Sequence, residues 1–371
     1  MSFVPQLVIL FTCISILEAT GYMSRIAILL DKIFRKIGLS GKSLIPFIIG
    51  AGCSVTGIMG TRIIENQDER EMTTILTPFI PCSAKLPIIA LFSGYFFEEK
   101  AGIISVTLYF LAIVIIIISA ILMKKLIFKN TSSTYVSELP EYKLPNMKYI
   151  VKEVCDKVLS FIKRAGSVIF ICSIVIWFSV SFSFELEYGV DVENSILASI
   201  GKTISWIFYP ILGTNSWGAT VSALQGLVAK EQVISSMSVI SGIAEGNAGS
   251  QMFSEGNLFS FFTTSSAYAF MVFNLFCAPC FGAIGAMERE LGGTKKMIKA
   301  VLFQTIFAWI LATIVYQIGS RIENGTWSFV NLLIITLIVG IIILILKDVN
   351  KINEECSECQ YSESCDKNVK V

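Results

Sequence analysis

Histidine is missing from all 371 residues of the sequence, and charged side chains account for only 15% of it. The missing histidine removes the side chain that most often binds transition metals, which leaves cysteine, methionine, carboxylates and backbone carbonyls as ligands. The low charge excludes an ordinary soluble domain, in which about a quarter of the residues are charged. With a net charge of +1, the chain offers no basic surface for nucleic acid.

Signatures of an enzyme are lacking as well. The stretch GLSGKS at 38–43 is not a phosphate loop, because Lys36 stands where the pattern G-x-x-x-x-G-K-[ST] needs its first glycine. No set of a nucleophile and a base is visible. The ten cysteines lie mostly in apolar stretches, where small buried side chains are a simpler interpretation than a disulfide framework. We therefore expect a protein that is not an enzyme.

Apolar residues make up 54% of the chain and gather in stretches of about 20 residues, the length that a helix needs to cross a bilayer. The sequence therefore predicts an all-α, polytopic membrane protein with about seven spanning helices. Basic residues cluster at alternate ends of these stretches, and the positive-inside rule then places the C-terminus in the cytoplasm. The predicted spans are residues 4–21, 74–97, 102–123, 165–184, 257–283, 301–319 and 327–346.

One apolar stretch, residues 44–97, is unsuited to a continuous helix. Its first half contains several glycines, and its second half contains Pro78, Pro81 and Pro87. Each interior proline frees a helix carbonyl, and in a bilayer such backbone persists only inside protein or beside a water-filled cavity. Transporters place ion sites at interrupted helices of this kind. Cys53 and Cys82 stand at the breaks and are the first candidate metal ligands.

A second interrupted stretch, 217–240, is followed by the pair Pro279-Cys280, and the first contains Pro81-Cys82. The first stretch is predicted to enter the membrane from the cytoplasm and the second from outside. Two re-entrant gate hairpins of opposite direction indicate an inverted repeat with a site near the midplane. The predicted organisation is a first gate half (1–130), a cytoplasmic loop with a surface amphipathic helix (131–164), a second gate half (165–320), and a last span with a Cys-rich cytoplasmic tail (321–371).

Several short motifs, in this order, resemble the ferrous iron transport protein B family: GYMSR (21–25), GCSVTGIMGTR (52–62), PCSAKLPIIALF (81–92), GLVAKE (226–231) and APCFGAIGAMERE (278–290). The resemblance runs to about Gln317 and implies a permease for Fe(II) in a bacterial-type cytoplasmic (inner) membrane. The family's GTPase domain is not in this sequence. We therefore expect either one half of a split system with a separate GTPase subunit or a truncated product. Small accessory proteins of the ferrous iron system and a homo-oligomer are further expected partners.

The candidate ligands in the gates are thiols, one thioether and one carboxylate. Cys53, Cys82 and Cys280 would supply soft ligands to Fe(II), and the resemblance favours Cys280 over its neighbour Cys277. Met59 is a further candidate. For each of these side chains the alternative is plain packing, since small or apolar residues let helices approach closely.

Charged residues pose a separate question, because a charge at mid-bilayer costs about 2.5–3.5 kcal/mol on insertion scales. Glu231 would attract or coordinate the cation, and Lys230 would neutralise it when the site is empty. The alternative is that this pair lies at the membrane surface. Lys85 repels a cation, so we expect a structural or gating role for it.

The tail carries three more thiols, Cys356, Cys359 and Cys365, among carboxylates. From Trp327 onward it resembles small Cys-rich membrane proteins associated with the ferrous iron system. These side chains would capture Fe(II) on the cytoplasmic side, although they are one thiol short of an iron–sulfur cluster set. The alternative is a reduced, solvated tail without fixed structure.

Two other functions remain open. Related gate folds resemble nucleoside-recognition proteins, so the solute would then be a nucleoside, although bases and sugars need no paired thiols. The chain would otherwise be a truncated membrane scaffold without transport, in which serine would replace the gate cysteines without effect.

Overall fold

The computed structural model describes residues 4–126, 147–161, 195–227, 230–241 and 257–323, with short pieces between 174 and 183 and at 252–254. Regular structure in these residues is helical, which confirms the all-α prediction. In chain order the helices are α1 (Val4–Ala19), α2 (Tyr22–Ile37), α3 (Leu44–Gly52), α4 (Ser54–Gly60), α5 (Gln67–Leu76), α6 (Leu86–Phe96), α7 (Ala101–Leu126), α8 (Met147–Phe161), α9 (Ile196–Leu212), α10 (Trp217–Gln225), α11 (Gln232–Ser241), α12 (Thr264–Phe276), α13 (Phe281–Glu290) and α14 (Thr294–Glu323). Short 3₁₀ turns occupy Gly41–Ser43, Thr61–Ile63, Thr77–Phe79 and Glu98–Lys100.

Three helical stretches are long and apolar enough to cross a membrane: Glu98–Lys124, Thr264–Glu290 and Thr294–Glu323. Two bent pairs, α1 with α2 and α9 with α10, turn by 80° and 94° and raise the count to five if each pair is one span. Within the described residues the count is thus three to five, and the total of seven stays a prediction. The expected span at 327–346 and most of the one at 165–184 lie outside the described residues.

The expected span at 74–97 is divided in the structure. Helix α5 ends at Leu76, a 3₁₀ turn covers Thr77–Phe79, and α6 begins only at Leu86. Proline explains the division, because neither Pro78 nor Pro81 can donate the backbone hydrogen bond that would continue the helix. This stretch is therefore two short helices around a non-helical loop.

The long helix α14 packs on α12 and buries one face in which three of four positions are alanine. The buried positions Ala300, Gln304, Ala308 and Ala312 are spaced four apart and so lie on that face. Small side chains there let the two backbones approach closely, which is how helices pack in lipid. The opposite face exposes large apolar side chains such as Leu302 and Ile306, which suits contact with acyl chains.

Helices α3 and α4 form a tight hairpin through Gly50 and Gly57. A Cβ on Gly57 would stand 2.6 Å from the Gly50 Cα and 2.8 Å from the Pro46 carbonyl oxygen. Real Cβ atoms do not approach backbone so closely, so only glycine permits this crossing. The hairpin brings the α3–α4 junction, and with it Cys53, against the rest of the fold.

Candidate metal pathway at the helix breaks

The first break lies between α3 and α4. Cys53 stands in extended conformation (φ −151°, ψ 123°) between the two helices, and the Gly52 carbonyl points away from the α3 ladder. That carbonyl accepts hydrogen bonds from the Ser83 backbone N–H at 3.3 Å and from the Ser83 hydroxyl at 2.7 Å. Ser83 directly follows Pro81-Cys82, so these bonds join the two breaks of the segment 44–97, which we call the first broken segment.

The second break repeats this arrangement in residues 217–290, the second broken segment. Helix α12 ends at Phe276 and α13 begins at Phe281, with Cys277 and Cys280 extended between them. The Phe281 N–H donates to the Leu227 carbonyl at 2.9 Å, just beyond the end of α10. In both segments the residue after a Pro-Cys pair therefore donates its N–H to a carbonyl at or just beyond the end of a preceding short helix, and the inverted repeat itself stays a prediction.

Three thiols converge from these breaks. Charges on Cys53, Cys82 and Cys280 would interact with one another, so the three side chains lie within electrostatic range. Cys82 is buried, whereas Cys53 and Cys280 are half-buried and pack against one apolar cluster that includes Ile58. Cys53 and Cys280, more than 190 positions apart in the chain, are therefore neighbours in the fold, and their role as metal ligands stays a prediction. Across the part of the chain that the structure describes, however, no group of three or more Cys, Asp or Glu side chains is arranged to hold a metal ion.

The Lys230 ammonium contacts Cys277 instead of Glu231. Its Nζ donates to the Cys277 Sγ at 2.7 Å, and only 2% of the Lys230 surface is exposed. Among the described residues no ion pair joins Lys230 to Glu231, whose side chain is exposed. Lys230 thus contacts a thiol of the second segment in this structure, and its neutralisation of Glu231 stays a prediction. Glu231 still lies within electrostatic range of Cys280.

Lys85 is buried among the same groups, with 2% of its surface exposed. Its Nζ donates to two backbone carbonyls, that of Pro78 at 2.7 Å and that of Leu275 at 2.6 Å. The neighbouring groups within electrostatic range are the thiols of Cys82, Cys277 and Cys280 and the ammonium of Lys230. Lys85 thus makes structural contacts, and the bond to Leu275 is one that no sequence pattern indicates.

The remaining candidate ligands are Met59 and the three cysteines of the tail. Met59 is half-buried and packs against the same apolar cluster as Cys53 and Cys280, a position that suits packing as well as ligation. Cys356, Cys359 and Cys365 lie outside the described residues. Two further contacts are not indicated by the sequence, the Ser83 bonds to Gly52 and the bond from the Gln304 Nε2 to the Ile75 carbonyl at 2.8 Å. A buried glutamine in an apolar helix was the only available signal for the second.

Family models match most of this architecture. The Gate model, described as nucleoside recognition, matches residues 1–96 and 162–294. The model for the C-terminus of ferrous iron transport protein B matches residues 105–157, between the two parts of the Gate match. The chain belongs to the ferrous iron transport protein B family. Both broken segments fall within the Gate match.

Curated relatives of this family are similar over the same region. A protein of Staphylococcus aureus (strain MSSA476) named Fe(2+) transporter FeoB is 40% identical over 317 residues, which is 85% of this chain and 46% of the relative. A Methanocaldococcus jannaschii protein of the same name is 36% identical over 325 residues, or 86% of this chain and 47% of the relative. A Porphyromonas gingivalis protein is named as a fusion of Fe(2+) transport protein A and Fe(2+) transporter FeoB. It is 33% identical over 361 residues, which is 85% of this chain and 42% of the relative.

The chain spans about half the length of the curated relatives it matches. No solved structure matches the chain.

Proposed function

We propose that this chain is a membrane permease for Fe(II), through which the ion passes between the two broken segments. The observation that carries the proposal is that Cys53 and Cys280, from helix breaks of both segments, pack against one apolar cluster, with Cys82 within electrostatic range of both. Thiol sulfur binds transition metals such as Fe(II), and broken membrane helices supply the polar surroundings that an ion needs in a bilayer. The names of the relatives support the same ion.

The ligands act in succession along the passage. A conducting site must bind its ion strongly enough to admit it and weakly enough to release it. The exposed Glu231 carboxylate, near Cys280, attracts the cation to the buried thiols, and Cys277 is held by Lys230 beside them. Met59 and the tail thiols Cys356, Cys359 and Cys365 are further ligands in this proposal. The tail captures the ion on the cytoplasmic side.

The surroundings of the permease are part of the proposal. We place it as a multi-pass protein in a bacterial-type cytoplasmic membrane, with the C-terminus in the cytoplasm. A separate GTPase subunit controls the gates, and small accessory proteins act with it, as the fusion of transport protein A to one relative suggests. A homo-oligomer is compatible with the lipid-facing surfaces of α7 and α14.

The test is uptake of radioactive ferrous iron by cells that lack their own importers and produce the full chain, together with any neighbouring GTPase gene. Substituting Cys82→Ser or Cys280→Ser should lower uptake about tenfold, the effect of losing about 1.4 kcal/mol of interaction. Cys155→Ser is the matched control, because Cys155 is exposed on α8. Unchanged uptake in the gate variants, at equal protein levels, would reject the proposed passage. Uptake by the native chain that is no higher than in cells without it would favour the scaffold alternative.

A nucleoside is the second candidate solute, and the description of the Gate match favours it. Binding of labelled nucleosides to the purified protein, without binding of Fe(II), would support this alternative. In that case Cys82→Ser should leave nucleoside binding intact, since a base or sugar needs no thiolate ligand.

A further inference from the structure

The two carbonyls that bind Lys85 are those deprived of their helical partners by proline. The Leu275 carbonyl in the last turn of α12 would accept from residue 279, which is Pro279 and has no N–H. The Pro78 carbonyl in the 3₁₀ turn would accept from residue 81, which is Pro81. The prolines of both Pro-Cys pairs therefore leave one carbonyl each without its regular donor.

Lys85 supplies the missing donors for both carbonyls at once. Its ammonium lies 2.7 Å from the Pro78 oxygen and 2.6 Å from the Leu275 oxygen. Both carbonyls are at C-terminal helix ends, where the backbone dipoles concentrate negative charge. Such freed carbonyls are the groups with which broken membrane helices bind small cations.

We propose that the Lys85 ammonium is a tethered cation that fills a carbonyl-lined site between the two broken segments and holds them together. Pro78 belongs to the first segment and Leu275 to the second, so one side chain closes the contact between them. Moving the segments apart would break a charge-assisted hydrogen bond and leave a buried ammonium or carbonyl without a partner. Lys85 is thus a positioning residue, and the inference does not depend on which ion is transported.

The chemistry of the site predicts that a free cation can replace the tethered one. Lys85→Ala removes the ammonium and its stem and leaves room at the two carbonyls. An ammonium ion, or a potassium ion of similar size, should then bind there and restore the contact. Lys85→Met removes the charge but fills the space, so it should not respond to added cations.

The experiment measures the Tm of the purified full chain in detergent, in chloride salts of ammonium, potassium or the bulky cation choline at equal ionic strength. In choline, Lys85→Ala and Lys85→Met should each lose at least about 5 °C. Ammonium should restore at least half of the loss in Lys85→Ala and none of it in Lys85→Met. Lys230→Ala is the matched control, since Lys230 is equally buried but contacts a thiol. Its Tm should not depend on the cation.

Three results would overturn the inference: no loss of Tm in Lys85→Ala, a loss that ammonium does not correct, or an equal correction in Lys230→Ala. If Lys85→Ala does not fold, Lys85→Gln provides the measurement, because its neutral amide still carries two N–H donors. Its Tm should lie between those of the native chain and Lys85→Met. A Tm equal to that of Lys85→Met would also reject the proposed site.

Discussion

At the scale of single residues, side chains close to the cysteines in sequence donate hydrogen bonds to backbone carbonyls at the helix breaks. Ser83 gives its hydroxyl and its N–H to the Gly52 carbonyl, and Lys85 gives its ammonium to two further carbonyls. Backbone carbonyls inside a membrane protein need such partners, because lipid offers none. In the second segment the Cys277 sulfur accepts a further hydrogen bond, from the Lys230 ammonium.

Substituting Ser83→Ala should destabilise the protein by about 1 kcal/mol, since the Gly52 carbonyl keeps only the longer bond from the backbone. Thermal unfolding in detergent measures this change. Thr203→Ala is the control, because the Thr203 hydroxyl is exposed and bonds only the Ser199 carbonyl of its own helix. Its effect should stay within about 0.5 kcal/mol. Equal losses in the two variants would show that the Ser83 bond has no special role.

At the scale of helices, close packing of backbones positions the breaks. The α3–α4 hairpin depends on the Gly50–Gly57 contact, and the α12–α14 pair depends on the alanines of α14. Apolar burial cannot drive association between helices that are already in lipid, so shape complementarity carries more of the energy. Adding even a methyl group at these contacts should therefore lower the stability of the protein strongly.

Gly57→Ala should destabilise the protein by about 1–3 kcal/mol or more, because the new methyl group meets backbone atoms that cannot rotate away. The measured quantities are the Tm and the yield of monodisperse protein. Gly94→Ala on α6 is the matched control, since a Cβ there meets nothing within 4 Å. A helical glycine in open space gains up to about 1 kcal/mol on this change, so a drop in stability at Gly94 would contradict the packing argument.

Ala308→Leu should cost about 1–3 kcal/mol, because Ala308 is fully buried between α14 and α12. Ile306→Leu, on the exposed face of the same helix, should change stability little. Both are measured by thermal unfolding. A similar Tm for the two variants would mean that α14 does not pack tightly on α12.

At the scale of the whole molecule, contacts between distant parts of the chain tie the first broken segment to the second and to α14. Arg62 pairs with Glu290 at 2.7 Å, Lys296 pairs with Glu71, and the Gln304 amide binds the Ile75 carbonyl. Each joins the neighbourhood of α5 to that of α13 and α14. Together with Lys85, they fix the relative position of the two sets of helix breaks.

Arg62→Gln should destabilise the protein by about 1–3 kcal/mol, because Glu290 is 6% exposed and would lose its charged partner. Adding Glu290→Gln to the same chain should recover part of the loss, and a double-mutant cycle measures the coupling. Lys42→Gln is the control, since its partner Glu65 is largely exposed and such surface pairs contribute at most about 1 kcal/mol. An additive double variant would show that Arg62 and Glu290 are not coupled.

Prediction from sequence succeeded where a single local property decides the outcome. The apolar stretches predict membrane helices, and the two Pro-Cys pairs predict where two of the breaks lie, because a missing N–H acts only on its own turn. The contact of Lys230 with Cys277 could not be predicted in this way, because the two residues are far apart in the chain and meet only in the tertiary structure.

By itself, the sequence determined the class of protein, the family, the positions of the helix breaks and the residues that stand at them. These follow from hydropathy and from the covalent chemistry of glycine, proline and cysteine, which act locally. Only the tertiary structure decided which groups meet, such as the Lys85 ammonium and the Leu275 carbonyl, 190 positions apart. Long-range contacts of this kind depend on the shapes of many packed side chains at once, and no short pattern encodes them.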